Sequence, residues 1–274
     1  MNAASLLGRT PYWVVTGGLA VIFLFPLVWS AIASIGPQPA TGQVVGYGLG
    51  NYVTLLEFQS GLGQYFLNSV IVSGLTVAIT LATSILGGYA FARFDFPGKN
   101  VLFLVTLAIL MVPYATLLIP HYVLLRNLGL ANSLLGLSLV LAIYQLPFAT
   151  YMMRISFESV PRELEESAVV DGAASLDVLR RILLPLVVPG VITVGLFAFL
   201  AAWNDFIAPL ILISDPSKSP LPLAIAVLRQ QTMGAIDYGA TEAGVVVMAV
   251  PCLILFIVLQ RYYLRGFLSG AIKG

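Results

Sequence analysis

Six apolar stretches of membrane-crossing length constrain this 274-residue sequence more than any other feature in it. They are Trp13–Ile35, Phe66–Ala92, Val101–Pro120, Ser133–Met153, Leu183–Ile213 and Ala243–Leu259. About twenty apolar residues in a helix cross the hydrocarbon of a bilayer. Inside it every backbone polar group must find a partner within the protein, so helices are the natural spans. Charged residues make up only 9% of the chain, against about 25% in ordinary soluble domains. The expected fold is therefore all-α, a polytopic membrane protein with six transmembrane helices. The fifth stretch is too long for one straight crossing and holds Pro185, Pro189 and Pro209. It is expected to kink or to leave the hydrocarbon in part. Ala31-Ile32-Ala33 imitates a signal cleavage site, but the apolar run before it exceeds the roughly 7–15 residues of a signal core. It reads as a retained first helix.

Basic residues set the orientation. With the N-terminus inside, the cytoplasmic segments hold Arg9, Arg93, Lys99, Arg154, Arg162, Arg180, Arg181, Arg261, Arg265 and Lys273. The outer segments hold only Arg126, Lys218 and Arg229. Both termini are thus expected in the cytoplasm. The net charge of +1 and the absence of a basic run give no sign of nucleic-acid binding. One cysteine, Cys252, and one histidine, His121, rule out an internal disulfide and leave no cluster for a metal. None of the three lysines, Lys99, Lys218 and Lys273, stands in a phosphate-binding Gly-x-x-x-x-Gly-Lys-Ser/Thr loop. The chain is not expected to be an enzyme or to hydrolyse ATP. Gly74, Ala78 and Ala82, and on a neighbouring face Ser84, Gly88 and Ala92, recur every four residues, a pattern that lets helices approach closely in lipid.

One charged insert interrupts the apolar pattern. Pro161 suits a first helical turn, and Glu163, Glu165 and Glu166 lie where the positive end of a helix favours acids. Leu164 and Ala168 share a face four residues apart, and Gly172 supplies the conformation that ends a helix. Ser175 reads as the cap of a second helix with an apolar stripe of Leu176, Leu179 and Leu183, and Pro185 marks re-entry into the bilayer. A helix resting on lipid headgroups usually carries a basic polar face. An acidic one is better suited to docking on a protein.

The insert resembles the cytoplasmic loop signature of ABC importer permeases: Glu-Ala-Ala, three residues, Gly, nine residues, Ile-x-Leu-Pro. Here it reads Glu166-Ser167-Ala168, then Gly172, then Ile182-Leu183-Leu184-Pro185, with Ser167 the one departure. "SVPRELEESAVVDGA", "WNDF" at Trp203 to Phe206 and the tail "QRYYLRGFLSGAIKG" extend the likeness to the maltose-type, heterodimeric sugar permeases. The resemblance implies a type I importer permease in a bacterial inner membrane, taking up a sugar, a disaccharide such as trehalose. It implies a coupling helix, with Leu164, Glu166, Ser167, Ala168, Asp171 and Gly172 against an ATPase dimer. ATP and Mg would sit on that ATPase, and this chain would bind no cofactor. Its partners would be a second permease subunit, the ATPase dimer, an extracytoplasmic sugar-binding protein and membrane lipid. The tail, through Gly266, Gly270 and Lys273, would reach between the ATPase subunits. The implied division is residues 1–65 as N-terminal helix and outer loop, 66–262 as core permease domain with the insert at 159–185, and 263–274 as cytoplasmic tail.

Sugars call for hydrogen-bonding groups beside aromatic faces. Trp203, Asn204 and Asp205, Tyr144 and Gln145, and Asn68 supply them and are the candidates for a substrate path. Trp203 also reads as an interfacial aromatic and Asn204 as an interhelical hydrogen bond. A secondary transporter or channel for a small polar solute is the rival reading, with Asp205 as its main intramembrane acid.

Overall fold

The computed structural model describes residues 10–37, 47–231 and 237–271, with side chains given from Tyr12 to Arg229 and from Asp237 to Gln260 within those ranges. Every regular element among them is helical. In chain order they are α1 (Thr10–Ser34), α2 (Gly50–Glu57), α3 (Leu62–Arg93), α4 (Lys99–Ala108), α5 (Tyr114–Asn127), α6 (Leu134–Glu158), α7 (Arg162–Val170), α8 (Ser175–Leu186), α9 (Val188–Asn204), α10 (Ile207–Leu212), α11 (Leu221–Gln231) and α12 (Tyr238–Ala271).

Four helices are long and apolar enough to cross a membrane unbroken: Tyr12–Ser34, Leu62–Arg93, Leu134–Glu158 and Tyr238–Gln260. The third and fifth expected spans are bent pairs. The third breaks at Val112-Pro113, where the chain turns by 104° between Lys99–Met111 and Tyr114–Asn127. The cause is local: Val112 is extended (ψ 124°), the backbone a residue before proline prefers, and Pro113 heads the new helix. The fifth bends by 81° between Ser175–Leu186 and Val188–Asn204, at Val187 between Pro185 and Pro189. It breaks again at Asp205-Phe206, so Pro209 lies inside α10 rather than at the break. Pro26, Pro120, Pro147 and Pro251 sit inside continuous helices.

The chain forms two compact units. In the unit made of residues 1–62 and 224–251, Asn51 is buried and donates through Nδ2 to the carbonyls of Ser34 (2.8 Å) and Gly36 (3.1 Å). Those bonds pin α2 to the end of α1, and Leu55 packs with Leu228, Ala240 and Ala243. Gly239 has no room for a side chain, because a Cβ would lie 2.5 Å from the Asn51 amide.

In the larger unit α3, α6 and α9 run alongside one another, and two cores form along them. One gathers Val72, Leu118, Leu137, Leu141, Ala202, Ala208 and Leu212. The other, beside the insert, gathers Tyr89, Met153, Phe157, Ala168, Val178, Leu179 and Leu183. In lipid there is no hydrophobic force between helices, so close contact does the work. Gly88 supplies it, since a Cβ there would lie 2.5 Å from Met153 of α6. Of the two small-residue rows expected on α3, the one through Ser84, Gly88 and Ala92 is buried. The row through Gly74, Ala78 and Ala82 is exposed on this chain, and nothing lies within 4 Å of Gly74. The two rows point in different directions around α3, and only one faces α6.

Candidate functional site: the charged insert and a polar break

The insert is two short helices joined by a left-handed glycine. α7 starts after Pro161 and carries Glu163 and Glu165 in its first turn. It ends in a Schellman turn: the Gly172 amide donates to the Val169 carbonyl (3.0 Å) and the Ala173 amide to the Ala168 carbonyl (2.9 Å), with Gly172 at φ +85°. α8 differs from its expected form. Ser175 is its first residue, not its cap; Ala174 takes the cap position without a side-chain hydrogen bond. Leu179–Leu183 is a wider π-type turn, which rotates the buried face to Val178, Leu179 and Leu183. Leu176 is left 59% exposed.

Successive helical residues point about 100° apart, and α7 uses this to divide its acids. Glu166, with Leu164, Ser167, Asp171 and Gly172, is exposed, as are the apolar Val169 and Val170. Ala168 turns inward against the Phe157 core. Glu165 turns toward α3. There Arg93 Nε lies 3.2 Å from Glu165 Oε2, an ion pair rather than an aligned hydrogen bond, with the arginine side chain only 4% exposed. An Arg93 terminal nitrogen donates to the Val160 carbonyl at 2.7 Å. One turn earlier on α3, the Tyr89 hydroxyl donates to Glu165 Oε1 at 3.2 Å and lies 3.5 Å from the Ser175 carbonyl. A groove of about 400 Å³ beside this contact is lined by Arg93, Arg162, Glu165, Glu166 and Val169. Sequence reasoning missed Tyr89 and Arg93 as parts of this site. Their four-residue spacing at the end of α3 is visible in the sequence, but their partner lies 76 residues from Tyr89.

The second arrangement sits where α5 and α10 begin. The Tyr114 hydroxyl, just past the Pro113 break, donates to Asp205 Oδ2 at 2.6 Å. Asp205 Oδ1 accepts from the Ala208 amide at 2.8 Å, so one carboxylate closes the gap between α9 and α10 and fixes it to α5. Tyr144 stacks edge-on against Tyr114, with ring centres 4.5 Å apart, and donates to the Tyr114 carbonyl at 3.2 Å. His121 Nδ1 lies 2.6 Å from the Leu117 carbonyl, which requires the proton on Nδ1, and its ring packs on Tyr144. A cavity of about 210 Å³ is lined by Tyr114, Leu141, Tyr144, Gln145, Ala201 and Asp205. It offers carboxylate, phenol and amide groups beside two aromatic rings, and each carboxylate oxygen keeps a lone pair for a further donor.

Of the six residues expected along a substrate path, the structure brings Tyr144, Gln145 and Asp205 to this cavity and adds Tyr114, which the sequence did not single out. Asn68 is buried elsewhere, its amide donating to the carbonyls of Ser217 (2.8 Å) and Ser219 (3.0 Å). Trp203 is 1% exposed, between Phe66 and Phe199. Asn204 is exposed and donates to the Leu200 carbonyl within its own helix. Gly266 and Gly270 lie in the last turns of α12, while Lys273 falls outside the described residues. Among the described residues no three His, Cys, Asp or Glu gather to hold a metal ion.

The model of the family described as "Binding-protein-dependent transport system inner membrane component" matches residues 84–267, which include the whole insert and both sides of the Asp205 break. The chain belongs to this family. The probable ABC transporter permease protein YurM of Bacillus subtilis is 33% identical over 98% of this chain and 90% of its own length. The trehalose transport system permease protein SugB of Mycobacterium tuberculosis is 31% identical over 97% of this chain and 98% of its own length. A chain of a bacterial ABC transporter that imports the acidic polysaccharide alginate superimposes with a TM-score of 0.77 at 21% identity, covering 96% of this chain and 99% of that one. The fold is therefore that of a type I ABC importer permease, a multi-pass helical membrane protein.

Proposed function

We propose that this chain is one of two permease subunits in an ATP-driven importer for a sugar, a disaccharide such as trehalose. The carrying observation is the insert, which exposes Glu166, Ser167 and Gly172 of the signature on a helix-turn-helix anchored by the buried Ala168, with Val169, Val170 and Leu176 uncovered around them. In this reading the insert seats on a separate ATPase dimer, which holds ATP and Mg. A sugar-binding protein delivers the substrate on the other side of a bacterial inner membrane, and both termini are cytoplasmic. Residues 66–262 are the permease core, and 263–274 reach the ATPase through Gly266, Gly270 and Lys273. The 31% identity to the trehalose permease SugB along nearly its full length supports a disaccharide. The Tyr114–Tyr144–Gln145–Asp205 cavity is the surface this chain would offer to passing hydroxyls.

The test is to tag the chain in its native membrane, extract it in mild detergent and identify what co-purifies. An ATPase and a second permease are expected together, and the reconstituted complex should take up trehalose only with ATP. A lone homo-oligomer with ion-driven uptake would instead make it a secondary transporter or channel, with Asp205 the acid to examine.

A further inference from the structure

We propose that Tyr89 and Arg93 form a strut that fastens the insert to the end of α3, so that movement of the insert is passed to that helix. The proposal rests on the docking role of the insert given above and names the residues through which it would act. Two side chains one turn apart on a 32-residue helix hold two successive parts of the insert and lie against the start of a third. Arg93 grips the entering strand of chain at the Val160 carbonyl (2.7 Å) and the first helix at Glu165 (3.2 Å). Tyr89 meets the same carboxylate at 3.2 Å and reaches the start of α8 at the Ser175 carbonyl, 3.5 Å away.

Burial separates this role from docking itself. The Arg93 side chain is 4% exposed and that of Glu165 21%, whereas Glu166 next to it is exposed. Adjacent acids therefore face different ways, Glu166 outward and Glu165 toward Arg93 of α3. The Tyr89 ring is locked edge-on against Phe94 (5.3 Å) and Phe157 (5.6 Å), which ties the strut to α6 as well. An insert held at one point would tilt when pushed. One held at both its entry and its first helix would carry α3 with it. Tyr89 and Arg93 are positioning residues in this account; neither touches the substrate.

The experiment compares Arg93→Gln, Glu165→Gln and the double variant with wild type. Each complex is purified from its native membrane and reconstituted, and uptake per ATP hydrolysed is measured with trehalose, maltose and diacetylchitobiose as probes. Glu158→Gln, whose carboxylate pairs with Arg154 on its own helix at 2.7 Å, is the control. Each single strut variant should keep its ATPase and lower uptake per ATP by about tenfold. The double variant should also fall by about tenfold, because both changes break one shared contact; independent effects would multiply to about a hundredfold. Normal uptake per ATP in assembled single variants would overturn the strut and leave the docking reading standing. Loss of the ATPase from the single variants would overturn it too, making Arg93 part of the docking surface. A wild-type complex without an ATPase would remove the reading on which the strut rests.

Discussion

The insert and the Asp205 break each place an acid against a tyrosine on another helix, yet the two regions hold their acids differently. At the break a single carboxylate does all the work: it accepts from Tyr114 on one side and from the Ala208 amide on the other. A helix interrupted inside a membrane leaves amides that only the protein can satisfy, and Asp205 answers that need. At the insert, two neighbouring carboxylates share the tasks. Glu165 is drawn into the fold by Arg93 and Tyr89, and Glu166 is left facing out. An acid spent on internal hydrogen bonds contributes to the fold, while one left exposed costs the fold nothing and remains open to a partner. The difference teaches where changes should harm stability and where they should harm only function.

The largest effect on folding is expected at the break. Asp205→Ala removes a charge-assisted bond to Tyr114 and orphans the Ala208 amide, at a cost of about 1.5–3 kcal/mol. Tyr114→Phe, which spares the Ala208 bond, should cost less. Thermal unfolding of the detergent-solubilised chain checks this, and equal melting points for Asp205→Ala and wild type would break the contrast between the regions.

Next comes Gly172→Val. Nothing lies within 4 Å of its added Cβ, so the penalty is backbone strain at φ +85° rather than a clash, about 1–2 kcal/mol. The membrane-spanning body should persist while ATPase co-purification weakens, because the strain falls on the turn that sets the angle between α7 and α8. A variant that binds the ATPase as wild type does would show that the angle is set elsewhere.

Glu166→Ala should leave the melting temperature unchanged, since the side chain is exposed. In the reconstituted complex it should reduce sugar-stimulated ATP hydrolysis, whereas Glu158→Ala should not. Equal stimulation by both variants would leave Val169, Val170 and Leu176 as the remaining docking groups.

The smallest effect concerns Asp215, in the loop after α10. The Ser217 hydroxyl donates to its carboxylate at 2.7 Å and the Ser217 amide at 3.0 Å, which hold its pKa below the usual carboxylate range. A group depressed in the folded state stabilises above its unfolded pKa and loses that contribution as pH falls through the folded value. Asp215→Asn should therefore lower stability slightly at neutral pH, and the gap to wild type should close below about pH 4. A gap that persists unchanged in acid would assign the effect to the loop's shape rather than to its charge.

Much of the molecule follows from the sequence alone. Span length and polarity mark the membrane helices. The acids after Pro161, the positive φ of Gly172 and the spacing through Pro185 place the insert, because each depends on residues within a few turns of one another. The Pro-rich fifth stretch was expected to bend, and it does, although the third span breaks more sharply at Pro113. What the sequence could not rank were groups brought together from far apart. Arg93 reaches Val160 across 67 residues, Tyr89 reaches Glu165 across 76, and Tyr114 reaches Asp205 across 91. Asn68, Trp203 and Asp205 look alike in a sequence as polar or aromatic groups in apolar helices. Only the packing of α3, α6 and α9 turns Asn68 onto loop carbonyls, buries Trp203 between rings and leaves Asp205 beside a cavity. Helical periodicity determines which face a residue occupies; the rotation and register of neighbouring helices determine what that face meets.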